Sequence, residues 1–91
     1  MTDRAKSYQE RIREKLTAAF SPARLEVIDE SDHHRGHGGW REGGETHFRV
    51  RIVAESFRGA SRVEMHRLIN RVLAEELAER VHALAIEASA P

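Results

Sequence analysis

At 91 residues the chain is long enough for one small domain with a single core, and 40% hydrophobic with 33% charged residues is the balance of a soluble globular protein. Fifteen Lys and Arg against fifteen Asp and Glu give a formal net charge of zero, which argues against binding nucleic acid through bulk charge alone; with no cysteine, the chain forms no disulfide and has no thiolate to offer a metal. No apolar run approaches the ~18 residues that mark a membrane span and no secretory leader opens the chain, so a cytoplasmic location is expected.

The first element is a helix over residues 3–19. Tyr8, Ile12, Leu16 and Ala19 recur at helical spacing between charged residues, Thr2 or Asp3 serves as N-cap, and Ser21-Pro22 ends it. Arg24 to Asp29 reads as a strand with Leu25 and Val27 on one side and Glu26 and Ile28 on the other. Residues 30–44 then form a loop that holds five of the six glycines and has no periodicity; loops this long in small domains are usually functional or disordered. Residues 45–54 alternate, with Phe48, Val50, Ile52 and Ala54 toward a core and His47, Arg49, Arg51 and Val53 toward solvent.

A helical turn and the turn Phe57–Ala60 lead to Ser61-Arg-Val-Glu64, a capping box in which serine and glutamate each satisfy a free backbone donor. It opens a helix to about Ala78 with the stripe Met65, Ile69, Val72, Leu73 and Leu77, edged by Leu68. His66 sits on its flank, ~70° from the stripe centre. Residues 81–88 form the last strand. A helical crossover joins the last two strands, so they should be parallel, and the loop-connected first two antiparallel. The expected fold is α+β: a three-stranded mixed sheet with the long helices on one face, in a single domain over residues 1–91 with its core over about residues 4–88.

The chemistry centres on imidazole. His33, His34 and His37 fall within the glycine-rich loop, and His66 lies on the second long helix. Imidazole suits iron, zinc, copper and nickel; without a thiol, this chain holds only part of a soft-metal site and a partner must supply the rest. The plainer readings are a packed His66, a solvated loop, and His47 and His82 as ordinary surface or edge residues. There is no nucleophile elbow, P-loop or His-Glu-x-x-His motif, so no enzyme is indicated. A nucleic-acid reading draws on the basic strand face of His47, Arg49 and Arg51 and on the turn-helix around Ser61 with Arg58, Arg62, Arg67 and Arg71. A third reading is a stand-alone zinc, copper or nickel binder using the loop histidines.

The chain resembles BolA-like proteins from about Arg4 to Ala88. The matching pieces are Leu25-Glu-Val-Ile-Asp-Glu-Ser31 followed by His34, Glu45-Thr-His-Phe48, Phe57-x-Gly59, His66-Arg67, Leu73-Ala-Glu-Glu-Leu77 and Val81-His-Ala-Leu-Ala85. The resemblance implies an αββααβ fold similar to class II KH domains. It also implies a partnership with a monothiol glutaredoxin, in which the two proteins hold a bridged [2Fe–2S] cluster. Glutaredoxin and glutathione would give the thiolates, and this chain His66 together with a loop residue, His34 or alternatively His33 or His37. Mixed imidazole and thiolate ligation should raise the reduction potential above all-thiolate ligation. The function so implied is non-enzymatic, in iron–sulfur trafficking or iron sensing. Members of the family also act as DNA-binding regulators of cell shape, biofilm formation and stress response, for which Arg49, Arg51, Arg62 and Arg67 are the candidate contacts. The loop is longer than the usual form and carries Trp40, and Asn70 stands where an aromatic residue often follows the His-Arg pair.

Overall fold

The computed structural model of the protein describes residues 6–31 and 44–91. Their order is α1 (Tyr8–Phe20), β1 (Arg24–Asp29), β2 (His47–Val53), a 3-10 turn (Glu55–Phe57), α2 (Arg62–Val72), α3 (Ala74–Glu79) and β3 (Ala83–Ser89). The strands lie in the order β1-β2-β3, with β1 antiparallel to β2 and β2 parallel to β3. This is the expected mixed α+β sheet.

Local chemistry sets most of the boundaries. Ser7 rather than Thr2 or Asp3 caps α1: its hydroxyl accepts from Glu10 N, and the Glu10 carboxylate accepts from Ser7 N. The helix therefore starts at Tyr8, later than expected. It stops at Ser21, which takes a left-handed turn (φ 44°) ahead of Pro22. The box of Ser61 and Glu64 opens α2 as expected. The single helix expected to reach Ala78 is divided at Leu73 (φ −100°, ψ 20°). With the chain re-aimed there, Leu73 is buried beside Ile69, and α3 carries Glu76 under α1.

The core lies between the sheet and the helices. Phe48, Val50 and Ile52 of β2 are at most 1% exposed and meet Ile12 and Leu16 of α1, Ile69 of α2, Leu73 and Phe57. The central strand supplies the most deeply buried residues because it has a neighbour on each side, whereas β1 and β3 are edges. The antiparallel register Val27↔Val50 and the parallel register Val50↔Ile86 place these three side chains on one face of the sheet. Glu76, 0% exposed, is the charge inside this layer. Arg11 and Lys15 of α1 reach its carboxylate at 2.9 Å. A carboxylate so buried is tolerable only with such partners.

Candidate metal centre and basic surface

The long loop leaves and re-enters the domain at one end of the sheet, and both of its roots are tied down. The Asp29 carboxylate accepts from Ser31 N at 2.9 Å and from Glu45 N at 3.2 Å, joining the outgoing and returning chains. Ser31 is buried, and its Oγ accepts from Thr46 N at 2.9 Å and His47 N at 3.2 Å. Arg80 Nε donates to Gly44 O at 2.9 Å. Glu45 sits at φ 61°, a left-handed conformation unusual for a residue with a side chain. In that conformation its carboxylate accepts from Tyr8 N and Gln9 N, the free donors of the first turn of α1.

Two histidines stand at this end. His47 is 5% exposed, not on a solvent face as its place in the alternation predicts. Its Nδ1 lies 2.9 Å from Thr46 Oγ1, which also bonds Ser31 Oγ. His82, just before β3, is exposed, and its ring is 5.6 Å from that of His47 at 51°. The backbone fixes this pairing: His82 N and Ala83 N both donate to Thr46 O. The parallel crossover thus delivers the start of β3 to the mouth of the loop. An exposed imidazole carried on a rigid backbone, beside a buried one, suits a shared metal centre. His33, His34 and His37 lie outside the described residues, within the segment anchored by Ser31 and Gly44.

His66 is placed elsewhere. It is half-buried on the flank of α2, as the helical spacing predicts, and has no hydrogen-bond or ion-pair partner among the described residues. With Arg62 it lines an open cleft of about 820 Å3 whose strand residues are 24–26, 51–53 and 86–89. All of these belong to the end of the sheet remote from Asp29, His47 and Ala83. From His82 to Ile86–Ala88 is four to six residues, roughly 13–20 Å of strand. The structure places His82, not His66, beside the roots of the loop, because a parallel third strand starts where the chain returns at Gly44–Thr46. Sequence reading set His82 aside as an edge residue. Among the described residues, no three histidine, cysteine or carboxylate side chains gather into a metal site.

The basic strand face is also revised. Arg49 bonds Glu30 and Glu87, both at 2.8 Å, and these bonds hold its guanidinium pKa above the usual value. Arg51 meets Glu87 at 3.1 Å and Glu26 at 3.5 Å. These arginines are neutralised across the three strands, a pairing hidden when each strand is read alone. On α2 the reverse holds: Arg62, Arg67 and Arg71 are exposed and have no ion-pair partner among the described residues, because Glu64 is spent on the cap.

Comparison with known proteins identifies the family and the fold. The family model described as BolA-like protein matches residues 16–91. The chain is 54% identical over 86 residues to a Sinorhizobium protein described by its position 5′ of cobS, covering 93% of this chain and 92% of that one. It is 47% identical to the DNA-binding transcriptional regulator BolA of Vibrio cholerae, over 86% of this chain and 70% of the relative. It is 48% identical to SufE-like protein 1 of Arabidopsis thaliana, but spans 23% of that longer protein. The solved BolA domain of SufE1 from Arabidopsis thaliana superposes with a TM-score of 0.85 at 48% identity, covering 94% of each chain.

Proposed function

The chain belongs to the BolA-like family, and on that premise we propose that it is a non-enzymatic partner of a monothiol glutaredoxin, sharing a bridged [2Fe–2S] cluster in iron–sulfur trafficking or iron sensing. The observation that carries this reading is the exposed imidazole of His82 at the anchored mouth of a loop with three further histidines. A chain without cysteine brings no thiolate, so in this reading the thiolates come from glutaredoxin and glutathione and this chain adds imidazole.

The geometry favours His82 over His66 as the ligand from the folded body, paired with His34, His33 or His37 of the loop. An imidazole donor must be neutral to bind metal, so the shared cluster is released toward acid pH. The clamp at Asp29, Ser31 and Glu45 supports this role. It fixes both roots of the loop and the backbone beside His82.

The test is reconstitution. Glutaredoxin carrying its own cluster, with glutathione, is titrated with this protein, and visible absorption and circular dichroism are followed. One equivalent should convert the spectrum to a new form with partial nitrogen ligation. An unchanged spectrum at excess protein contradicts the reading.

A second reading, DNA-binding regulation, is favoured by one observation: Arg67 and Arg71, one turn apart on the same face of α2, have no acidic partner among the described residues, with Arg62 likewise unpaired on another face of the helix. It excludes Arg49 and Arg51, which are already paired. Mobility shifts at several salt concentrations test it, because log affinity should fall with log salt at about 0.9 per phosphate contacted. The two arginines on one face correspond to a slope near −2, and a flat profile removes this reading.

A further inference from the structure

The two edge strands are finished differently. β1 (RLEVID) carries three charges, Arg24, Glu26 and Asp29. β3 (ALAIEAS) has one, Glu87, and Arg49 and Arg51 hold it on the open face of the sheet. β3 has none of the devices that keep an edge from pairing: no lysine, no proline, no inward charge.

The bonds between β2 and β3 identify the backbone groups left over. Ala83 N donates to Thr46 O, and Ser89 O accepts from Ala54 N. Residues 83, 85, 87 and 89 therefore turn their polar groups toward β2, while the N–H and C=O groups of Leu84, Ile86 and Ala88 point outward. The side chains of these same three residues face the helix layer and are only half-buried, whereas their register partners Phe48, Val50 and Ile52 are at most 1% exposed. The cleft of about 820 Å3 crosses all three strands at this end of the sheet and includes Ile86, Glu87 and Ala88 of this edge together with Arg62 and His66 of α2.

We propose that β3 is a docking edge for an extended segment of a partner protein, which adds a fourth strand, sets alternate apolar side chains against Leu84, Ile86 and Ala88, and brings a carboxylate to Arg62. Main-chain bonding of this kind supplies affinity, and alternate side chains supply selectivity. Charge selects the occupant. Within the cleft, Glu26, Arg51 and Glu87 are joined to one another, whereas Arg62 of α2 has no partner among the described residues, and neither has Arg24 on the opposite edge strand. The surplus is positive and fits an acidic segment. A second copy paired through its own β3 would set two such arginine-bearing α2 helices side by side, which like charge opposes.

The experiment uses the isotope-labelled full chain and a blocked nine-residue peptide of alternating valine and threonine with two glutamates. Two controls are the same peptide N-methylated at alternate amides and a version with lysine for glutamate. At saturation, exchange of the Leu84, Ile86 and Ala88 amides should slow about tenfold or more, with Ala83, Ala85 and Glu87 unaffected because they are already bonded. The N-methylated peptide should not bind. Ala88→Pro removes one outward N–H at an edge position where proline is accommodated, and should weaken binding about 3–10-fold. Arg62→Glu should weaken the acidic peptide and strengthen the lysine one. No protection at millimolar peptide, or equal binding of the N-methylated control, overturns the proposal. So does protection without peptide: rising with protein concentration alongside a sedimenting dimer it would mark a second copy, and independent of concentration it would mark coverage by the chain itself.

Discussion

The two ends of the sheet are built on opposite terms. At the loop end, hydrogen bonds converge: Asp29 accepts from two backbone amides, Ser31 Oγ accepts from two more, Glu45 closes the first turn of α1, and Thr46 O receives both His82 N and Ala83 N. At the far end, Arg24, Arg62 and His66 surround an open cleft with no hydrogen-bond or ion-pair partner among the described residues. The lesson is that the two ends of one small sheet give a histidine different surroundings: His82 stands beside the bonded roots of the loop, whereas His66, on α2, lines the cleft with arginines that have no partner among the described residues.

The largest expected effect comes from loosening the frame behind His82. Glu76 is sealed under α1, its carboxylate bonded to Arg11 and Lys15, and its carbonyl accepts from Arg80 N and Val81 N, just ahead of His82. Glu76→Ala should cost about 2–4 kcal/mol in urea unfolding, because two cations lose a buried counter-charge. Arg62→Ala at the far end should change stability by less than about 0.5 kcal/mol. Equal losses would erase the distinction between the ends. Ser31→Ala comes next, at about 1–3 kcal/mol, since it strips an acceptor from two amides without altering packing volume. Exchange of the Thr46 and His47 amides should accelerate with it. Glu45→Ala should cost about 1 kcal/mol through the lost cap on α1, read from the shift in urea midpoint.

The smallest effect concerns pH. The hydrogen bond and charge of Lys15 lower the Glu75 pKa, and the Glu75 hydrogen bond raises that of Lys15. A lowered carboxylate pKa contributes stability that is complete above the usual carboxylate range and is lost as pH falls through the folded value. A raised amine pKa contributes stability that is lost as pH rises past the usual lysine range. The difference in midpoint between the wild-type protein and Glu75→Gln should therefore be widest between these limits and shrink toward acid. Both groups are partly or fully exposed, so the difference should also shrink in high salt.

Much of the fold was legible because its signals are local. The alternation of Phe48, Val50, Ile52 and Ala54 marks the buried face of β2, and Ser61 with Glu64 marks the start of α2. The Ser7–Glu10 box was equally written in the chain, but the more distal Thr2 and Asp3 competed for the same assignment. The break at Leu73 has no glycine or proline to announce it. Burial of Glu76 depends on Arg11 and Lys15, more than sixty residues away in sequence. His47 follows the strand alternation yet is covered, because Thr46, Ser31 and His82 close over that end of the sheet. Of the candidate site, the loop histidines and the absent thiol were legible in the chain, while the separation of His66 from the loop roots, and the nearness of His82 to them, required knowing which end of β3 lies beside Thr46.

The choice between His66 and His82 is settled most directly by pulsed electron paramagnetic resonance on the reduced cluster in the glutaredoxin complex, with nitrogen-15 histidine in this chain. Strong imidazole hyperfine coupling is predicted for the wild-type protein and for His66→Ala, with the coupling of one ring lost in His82→Ala. Full coupling in His82→Ala, or its loss in His66→Ala, would contradict the assignment of the centre to the anchored end of the sheet.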